Sequence, residues 1–330
     1  MTKPGKQRDH GGNLGAAIHR FGGSREDWID LSTGINPDPY PLPDISHEAW
    51  ARLPDHDAME RLRHAAKVTY TTEADVVPFG GAQGAIQAIP HILPKGRAKV
   101  VAPTYNEHAG SLQSAGWDVE DVVRLSELEG ADVGVVVNPN NPDGRHWTMD
   151  EIAAASDKVG VLVVDESFAD PAPHVSFASE LGDYPNVIIL RSFGKFYGLA
   201  GVRLGFALAS SELATSLKTM AGPWPISGPA IEIACAALGD IEWKRETTTR
   251  LAQKSERLDG LANSAGWNLV GGTTLFRTYD TADAVAAQTI LAEHQIWTRI
   301  FPYSERWIRL GLPEAEDSWV RLERALFKLS

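Results

Sequence analysis

The sequence predicts an α/β fold in which helices cover both faces of a mostly parallel central sheet, with a small α+β lobe in addition. Two observations support this prediction. Short strands that are apolar throughout alternate with helical segments along the middle of the chain, which is typical of a parallel sheet buried on both sides. Beyond about residue 266, short strands and helices follow each other without that alternation, which indicates a separate lobe.

The elements follow in order along the chain. Residues 46–67 show a helical pattern that Pro54 interrupts. Strands of the sheet are predicted at Val76–Phe79, Ala98–Val101, Val133–Val137, Val161–Val164, Val187–Leu190 and Leu204–Leu208. Helices are predicted at Ala85–Ile92, from Asp150 to Ala155, and around Glu212–Met220, Ala230–Leu238 and Ile241–Ala262. Asp150 is the expected N-cap of its helix.

The first forty residues are rich in Gly, Pro and Asn, which predicts little regular structure. Two interpretations are open: a flexible surface arm, or a segment that folds over a phosphate. The second is favoured by the glycines between His10 and Asn13, which permit close backbone approach, and by the local basic excess at Lys3, Lys6 and Arg8. For a chain of 330 residues we expect an arm over 1–44, a large domain over 45–235 and a small domain over 236–330.

Composition excludes several classes of protein. An apolar fraction of 43% with 22% charged residues is that of a soluble globular protein. The net charge of -12 argues against a general nucleic-acid or membrane binder, so an anionic ligand needs a local cationic site. Cys235 is the only cysteine, so no intramolecular disulfide, no thiolate cluster and no metal site are predicted. The apolar runs are too short to span a bilayer and the first residues lack a secretory signal, so we expect a cytoplasmic protein.

A single lysine follows the strand Val187–Leu190, and an arginine stands eight residues beyond it. Lys195 at the end of a buried strand, among aromatic residues, is poorly solvated, which favours its neutral, nucleophilic amine. Arg203 can bind anionic oxygens with two parallel hydrogen bonds. The pair indicates a Schiff-base lysine beside a phosphate clamp; two ordinary loop cations are the alternative.

Other polar residues also lie where strands end, which is where parallel sheets bind ligands. Gly81, Ala82 and Gln83 offer free backbone N–H groups for a phosphate at a helix start, or simply reverse the chain. Tyr105 is suited to stacking on an aromatic ligand and Asn141 to donating to a phenolate oxygen. A core tyrosine and a turn-shaping asparagine are the alternatives.

Asp165 ends the apolar run Val161–Val164. A carboxylate there is costly to bury without a cationic partner, and a pyridinium nitrogen would be such a partner. A pyridine that is kept protonated is a strong electron sink. The alternative is a carboxylate that caps the next element.

Taken together, these motifs resemble one family. They are, in order, Gly81-Ala-Gln83, Tyr105, Asn141-Pro-Asp-Gly144, Asp165, Ser192-Phe-Gly-Lys195 and Arg203. The ordered set resembles the pyridoxal-phosphate (PLP) enzymes of the aspartate aminotransferase fold type, fold type I, over nearly the whole chain. The resemblance implies that Lys195 carries the cofactor as a Schiff base, Asp165 pairs with its pyridine nitrogen, Tyr105 stacks on its ring and Asn141 bonds its phenolic oxygen. It assigns the cofactor phosphate to Gly81, Ala82, Gln83, Ser192 and Arg203, and catalysis to Lys195, Asp165 and Tyr105.

Two segments among the first forty residues resemble one group of enzymes within this fold type. His10-Gly-Gly-Asn13 and Ile29-Asp-Leu-Ser-Thr-Gly-Ile-Asn-Pro37 resemble the L-threonine-O-3-phosphate decarboxylases of cobalamin biosynthesis, near relatives of histidinol-phosphate aminotransferase. Phe168 fits them, since many aminotransferases have a tyrosine hydroxyl there. The resemblance implies a small phosphorylated amino acid as substrate, decarboxylated to (R)-1-amino-2-propanol O-2-phosphate and CO2. Arg309 would bind the α-carboxylate; the other substrate-binding candidates are His10, Asn13, Ser32, Asn36 and Arg299.

Two positions depart from the broader pattern. Leu53 stands where relatives often have a tyrosine that reaches the cofactor phosphate of the neighbouring subunit, and Asp143 replaces a usual threonine. A homodimer is expected by analogy, and contact with the next enzyme of the cobalamin pathway is left open.

Three other functions were weighed. The main alternative is a histidinol-phosphate-type aminotransferase, which uses the same cofactor residues and a keto-acid acceptor. A protein of this fold that only binds a partner is disfavoured, because scaffolding needs neither Lys195 nor Asp165. A Rossmann dehydrogenase is excluded, since no Gly-x-Gly-x-x-Gly follows the first strand.

Overall fold

The computed structural model of the protein describes residues 10–328, so Lys3, Lys6 and Arg8 lie outside the described residues. Backbone contacts divide the chain into two compact units. Of the described residues, 10–37 and 251–328 form the small unit, and 38–250 form the large unit. The domain boundaries after residues 44 and 235 stay a prediction.

The secondary structure elements are as follows. The strands are β1 (Ile29–Asp30), β2 (Asp75–Phe79), β3 (Arg97–Val101), β4 (Asp118–Val122), β5 (Val133–Val137), β6 (Val161–Asp165), β7 (Val187–Ser192), β8 (Gly205–Ala209), β9 (Asn268–Thr273), β10 (Phe276–Asp280), β11 (Ile296–Trp297), β12 (Arg299–Phe301) and β13 (Ser304–Gly311). The helices are α1 (Leu14–Phe21), α2 (His47–Ala51), α3 (His56–Tyr70), α4 (Ala82–Ile92), α5 (Glu107–Ser114), α6 (Met149–Ser156), α7 (Phe193–Phe196), α8 (Ser211–Ala221), α9 (Gly228–Gly239), α10 (Ile241–Ser264), α11 (Ala284–Glu293) and α12 (Glu316–Phe327).

The large unit is built on a seven-stranded sheet in the order β2-β8-β7-β6-β5-β3-β4. Neighbours from β7 through β4 pair in parallel, whereas β8 is antiparallel to both β2 and β7. Every residue of β5, β6, β7 and β8 is buried, as expected when helices cover both faces. The predicted mostly parallel sheet is confirmed.

The carboxyl ends of the central strands are aligned. Val137 at the end of β5 is in register with Asp165 at the end of β6, and the Asn138 amide donates to the Asp165 carbonyl at 2.8 Å. On the other side of β6, the Glu166 amide donates to the Leu190 carbonyl of β7 at 2.9 Å. Polar residues that follow these strands therefore meet at one edge of the sheet.

The predicted N-cap of α6 was wrong. The helix begins at Met149, and its cap is Thr148, whose hydroxyl accepts a hydrogen bond from the Glu151 amide. The Glu151 carboxylate in turn accepts from the Thr148 amide at 2.8 Å. This reciprocal capping box satisfies two amides at the helix start, which Asp150, already inside the first turn, cannot do.

The small unit contains an antiparallel sheet in the order β12-β13-β10-β9 and a parallel pair of β1 with β11. The prediction of little regular structure in the first forty residues was wrong at α1. Asn13 caps this helix by accepting from the Ala16 amide at 3.3 Å. Leu14 and Ala17 are buried, and Ile18 packs on the same face, which is the period of an amphipathic helix.

Within residues 10–328, none of the helices combines the length and the apolar character that a membrane span requires.

Candidate active site

The start of α4 lies directly against the guanidinium of Arg203. Gly81 precedes the helix with φ 79°, a conformation that favours glycine, and a Cβ at Gly81 would lie 2.9 Å from Arg203 Nη2. Gly205 approaches the same turn so closely that a Cβ there would lie 2.2 Å from the Ala82 nitrogen. The first amides of an eleven-residue helix and a fixed cation thus form a cradle that suits a phosphate dianion.

Lys195 lies in α7, one short turn beyond the end of β7. Its side chain is half-buried, and its Nζ lies 5.5 Å from the centre of the Phe168 ring. Phe193 and Phe196 on either side are fully buried. The amine therefore lies near the Phe168 ring, just beyond the carboxyl end of β7, and its predicted neutral, nucleophilic form stays a prediction.

Asp165 is buried and fully hydrogen-bonded. Its Oδ1 accepts from the amide and the hydroxyl of Ser167, at 2.9 and 2.5 Å, and its Oδ2 lies 2.8 Å from His108 Nε2. Burial by itself would raise the pKa of Asp165, but the bonds with His108 and Ser167 outweigh it and hold that pKa below its usual value. Asp165 is thus an anion at neutral pH, which is the form a pyridinium nitrogen requires.

Tyr105 is hydrogen-bonded to Gln83, which lies in the first turn of α4 at the phosphate cradle. Its hydroxyl donates to Gln83 Oε1 at 3.2 Å, and Gln83 Nε2 donates to Glu107 Oε2 at 2.8 Å. The ring also meets the His108 ring edge-on, with centroids 6.2 Å apart. One short segment therefore connects the first turn of α4 with the end of β6 and carries the predicted stacking residue.

The loop that carries Asn141 is attached to the loop that carries Tyr105. Asn140 is fully buried; its Oδ1 accepts from Thr104 Oγ1 at 2.6 Å, and its Nδ2 donates to the Pro103 carbonyl at 3.0 Å. Asn141 and Tyr105 are therefore held by one network. The role of Asn141 at a phenolic oxygen stays a prediction.

A buried ion cluster lies on the opposite face of β6 and β7. Arg191, next to Ser192, donates from Nη1 to Glu166 Oε2 at 2.7 Å and from Nη2 to Asp170 Oδ1 at 3.0 Å. Its guanidinium lies 4.4 Å from the centre of the Tyr70 ring. This cluster ties together the two strands that present Asp165 and Ser192.

In the small unit, two arginines face each other across a pair of strands. Arg309 on β13 is in register with Arg299 on β12. Burial and the nearby Arg299 lower the pKa of Arg309 to about 10, so it is still a cation at neutral pH. Like charges directly opposite in a sheet are destabilising, which favours an anionic ligand near this pair.

The N-terminal segment lies beside Arg309. The Ser32 carbonyl accepts from Arg309 Nη2 at 2.8 Å, and the Ser32 hydroxyl accepts from the Gly12 amide at 2.8 Å. A Cβ at Gly11 would lie 2.3 Å from the Ser32 carbonyl oxygen, so the two segments approach each other at a position that only glycine fits. The two signature segments of the sequence are therefore neighbours in the structure.

The remaining substrate-binding candidates differ in their surroundings. Asn36 is buried and His10 is exposed. The side chain of Asn13 caps α1, which uses its Oδ1 for the helix. The substrate roles of these residues stay predictions. The predicted cofactor-binding residues all lie in the large unit, and the substrate-binding candidates all lie in the small unit.

Sequence reasoning missed several polar partners. His108 was detectable in principle, since it stands three residues after Tyr105 in a segment that begins a helix. Arg191 had a clearer signal, because a charge inside an apolar strand requires a buried partner. The chain offered Glu166 and Asp170, but sequence alone does not assign the pairing.

Comparison with known proteins identifies the family. The sequence model of aminotransferase class I and II matches residues 27–322. The chain belongs to the aminotransferase class I and II family. The predicted PLP fold type I is confirmed, and a histidinol-phosphate aminotransferase structure from Sinorhizobium meliloti shares this fold with a TM-score of 0.83 at 23% identity, covering 96% of this chain and 94% of that one.

Two curated members of the family are much more similar in sequence. The threonine-phosphate decarboxylase of Pseudomonas aeruginosa is 42% identical over 96% of this chain and 97% of its own length. The protein of the same name from Sinorhizobium sp is 40% identical over 97% of this chain and 98% of its own length. The resemblance predicted from the opening of the sequence is confirmed.

Proposed function

We propose that this protein is a PLP-dependent threonine-phosphate decarboxylase, which converts L-threonine O-3-phosphate to (R)-1-amino-2-propanol O-2-phosphate and CO2 in cobalamin biosynthesis. The observation that carries the proposal is full-length identity of 40% or more to two proteins of that name. The site supports it independently, because a lysine, an ionised aspartate and a phosphate cradle meet at one sheet edge.

The residues of the large unit fit the cofactor. The cradle of Gly81, Ala82 and Arg203 would hold its phosphate, and Lys195 would hold it covalently through the amine. Asp165 would keep the proton on the pyridine nitrogen, because His108 and Ser167 keep this carboxylate ionised. When bound, pyridoxal phosphate supplies a protonated ring that accepts the electron pair released as a bond at Cα breaks.

The other residues decide which bond at Cα breaks. Arg309 would bind the α-carboxylate and orient the Cα–carboxyl bond for cleavage, with Arg299 beside it for the second anionic group. The carboxyl group leaves as CO2 without the electron pair of the broken bond, and Lys195 donates the proton with which that pair forms the new C–H bond at Cα. Phe168 faces the lysine without offering a hydroxyl.

The test is to incubate the PLP-loaded protein with L-threonine O-3-phosphate, without a keto acid, and to measure CO2 and aminopropanol phosphate. We expect both products from the wild type and from Lys218→Ala, a control at a half-exposed lysine of α8. Lys195→Ala should give neither. If the wild type is inactive here but transaminates histidinol phosphate once 2-oxoglutarate is added, the aminotransferase alternative replaces the proposal.

We further propose that the enzyme is a cytoplasmic homodimer. Several large apolar side chains of the large unit are well exposed, among them Trp50, Leu53 and Trp224. Exposed apolar surface of this kind is typical of an interface. Light scattering of the wild type and of Trp50→Glu tests the dimer, since a buried interfacial charge should dissociate it. A wild-type monomer would contradict it.

A further inference from the structure

Asp143 stands where the family resemblance leads us to expect a threonine, and the structure places its carboxylate close to three donor groups. Its side chain is only 9% exposed. Oδ1 accepts from Asn140 Nδ2 at 2.7 Å and from the Arg145 amide at 3.1 Å, while Oδ2 lies 2.7 Å from Arg145 Nε. A threonine has a single side-chain oxygen and no charge, so it cannot make all three contacts.

Through its bond to Asn140, Asp143 is connected to the loop that carries Asn141 and to the loop that carries Tyr105. Asn140 is the residue that bonds Thr104 and the Pro103 carbonyl, immediately before Tyr105. The backbone N–H of Asn140 donates to the Arg145 carbonyl at 2.7 Å, and this bond closes the loop that contains Asn141. Asp143 therefore orients the side-chain amide of Asn140, and this side chain joins the loop that carries Asn141 to the loop that carries Tyr105.

We infer that Asp143 is a positioning residue that fixes Asn141 against the cofactor ring. The inference rests on the proposed role of Asn141 as a donor to the phenolic oxygen. A donor that is held in place stabilises the anionic form of that oxygen, whereas a loop that samples several conformations presents the donor for only part of the time. The bond from Asn140 to the Asp143 carboxylate is charge-assisted, and Asn140 is fully buried, so water has little access to replace that bond.

The experiment compares Asp143→Ala, Asn141→Ala and the double variant as holoenzymes. The readout is the pH midpoint at which the absorption bands of the bound cofactor interconvert, together with the dissociation constant for pyridoxal phosphate. A hydrogen bond to a charged oxygen corresponds to about one to two pH units, so Asn141→Ala should raise the midpoint by about that much. Asp143→Ala should raise it by at least about half a unit, and the double variant by no more than Asn141→Ala alone.

Two further variants make the test specific. Asp143→Asn keeps the size and the Oδ1 acceptor, so it should recover most of the shift and serves if Asp143→Ala does not fold. Asp157→Ala, at an exposed aspartate of the same unit, should leave both readouts unchanged.

The outcomes separate the possible failures. An unshifted midpoint in Asp143→Ala, when Asn141→Ala is shifted, overturns the inference. Fully additive shifts also overturn it, because Asp143 would then act independently of Asn141. An unshifted midpoint in Asn141→Ala refutes its assumed role and the inference together. Because neither readout uses a substrate, failure of the decarboxylase proposal leaves these results interpretable.

Discussion

Replacement of His108 tests whether Asp165 depends on its buried partner. The two side chains are each 3% exposed, with Nε2 and Oδ2 2.8 Å apart. His108→Leu removes the partner at similar volume. A hydrogen bond to a charged group contributes about 1.5–3 kcal/mol, and breaking a buried ion pair costs about 3–5 kcal/mol. Since Ser167 still donates twice to Asp165, we expect a loss near the lower limit, about 2 kcal/mol.

The assay is the melting temperature of the cofactor-free protein over a range of pH. A loss of about 2 kcal/mol corresponds to about 4–8 °C in a unit of this size. The wild-type pKa of Asp165 is lowered, so its stabilising contribution is present above the ordinary aspartate pKa and is lost as pH falls through the lowered pKa. In His108→Leu that pKa rises, so the gap between the two proteins should be full at neutral pH and narrow in acid.

Two results would refute this reasoning. A gap that stays constant from neutral pH down to well below the ordinary aspartate pKa of about 3.9 would mean that His108 contributes packing alone. A variant His108→Gln as unstable as His108→Leu would mean that a donor at this position is irrelevant, because glutamine can still donate to Asp165.

Three further predictions concern other parts of the site. Gly81→Ala should weaken pyridoxal phosphate binding about tenfold or more in an absorbance titration, because a side chain at φ 79° costs about 1–2 kcal/mol and its Cβ would contact Arg203; Gly80→Ala, where the Cβ has open space, should bind normally. Arg191→Ala leaves two buried carboxylates without their cation, which costs about 3–5 kcal/mol and should lower the melting temperature, whereas Arg245→Ala, at an exposed arginine, should leave it unchanged. Arg309→Ala should raise KM for the phosphorylated substrate about tenfold or more with an unchanged cofactor spectrum, and Arg306→Ala, at an exposed arginine of the same strand, should not.

Local sequence pattern was sufficient for the strands and for the residues at their ends. Val133–Val137 was predicted with its observed bounds, because an uninterrupted apolar run of five residues specifies a buried strand without reference to any partner. Asp165 could be placed for the same reason, because it directly follows such a run, and Lys195 stands five residues after the end of another. Arg203 and Gly81, by contrast, were assigned to one phosphate only through the family resemblance, and the folded chain shows that a Cβ at Gly81 would lie 2.9 Å from Arg203 Nη2.

Pairing between distant residues was not predictable. His108 and Asp165 are 57 residues apart, and the sequence around either residue does not indicate that the two side chains are in contact. The register that places Arg299 opposite Arg309 depends on a turn and a register shift that composition does not define. The helix α1 is a different case. Its N-cap and its apolar period are visible in the sequence, but the high glycine and proline content of the first forty residues led to a prediction of little regular structure.

The contrast between Asp165 and Glu166 shows how adjacent carboxylates acquire different chemistry. Asp165 ends β6, and the backbone of Glu166 still bonds the Leu190 carbonyl of β7, so the two side chains alternate as in a strand: Asp165 meets His108 and Ser167 while Glu166 meets Arg191. Hydrogen bonds prevail over burial at Asp165 and lower its pKa, whereas burial prevails at Glu166 and raises its pKa despite Arg191. Asp165 is therefore the carboxylate that stands ready to pair with a cofactor, whereas Glu166 is already paired with Arg191. Glu166, through its bond to Arg191, instead holds the end of β6 against β7.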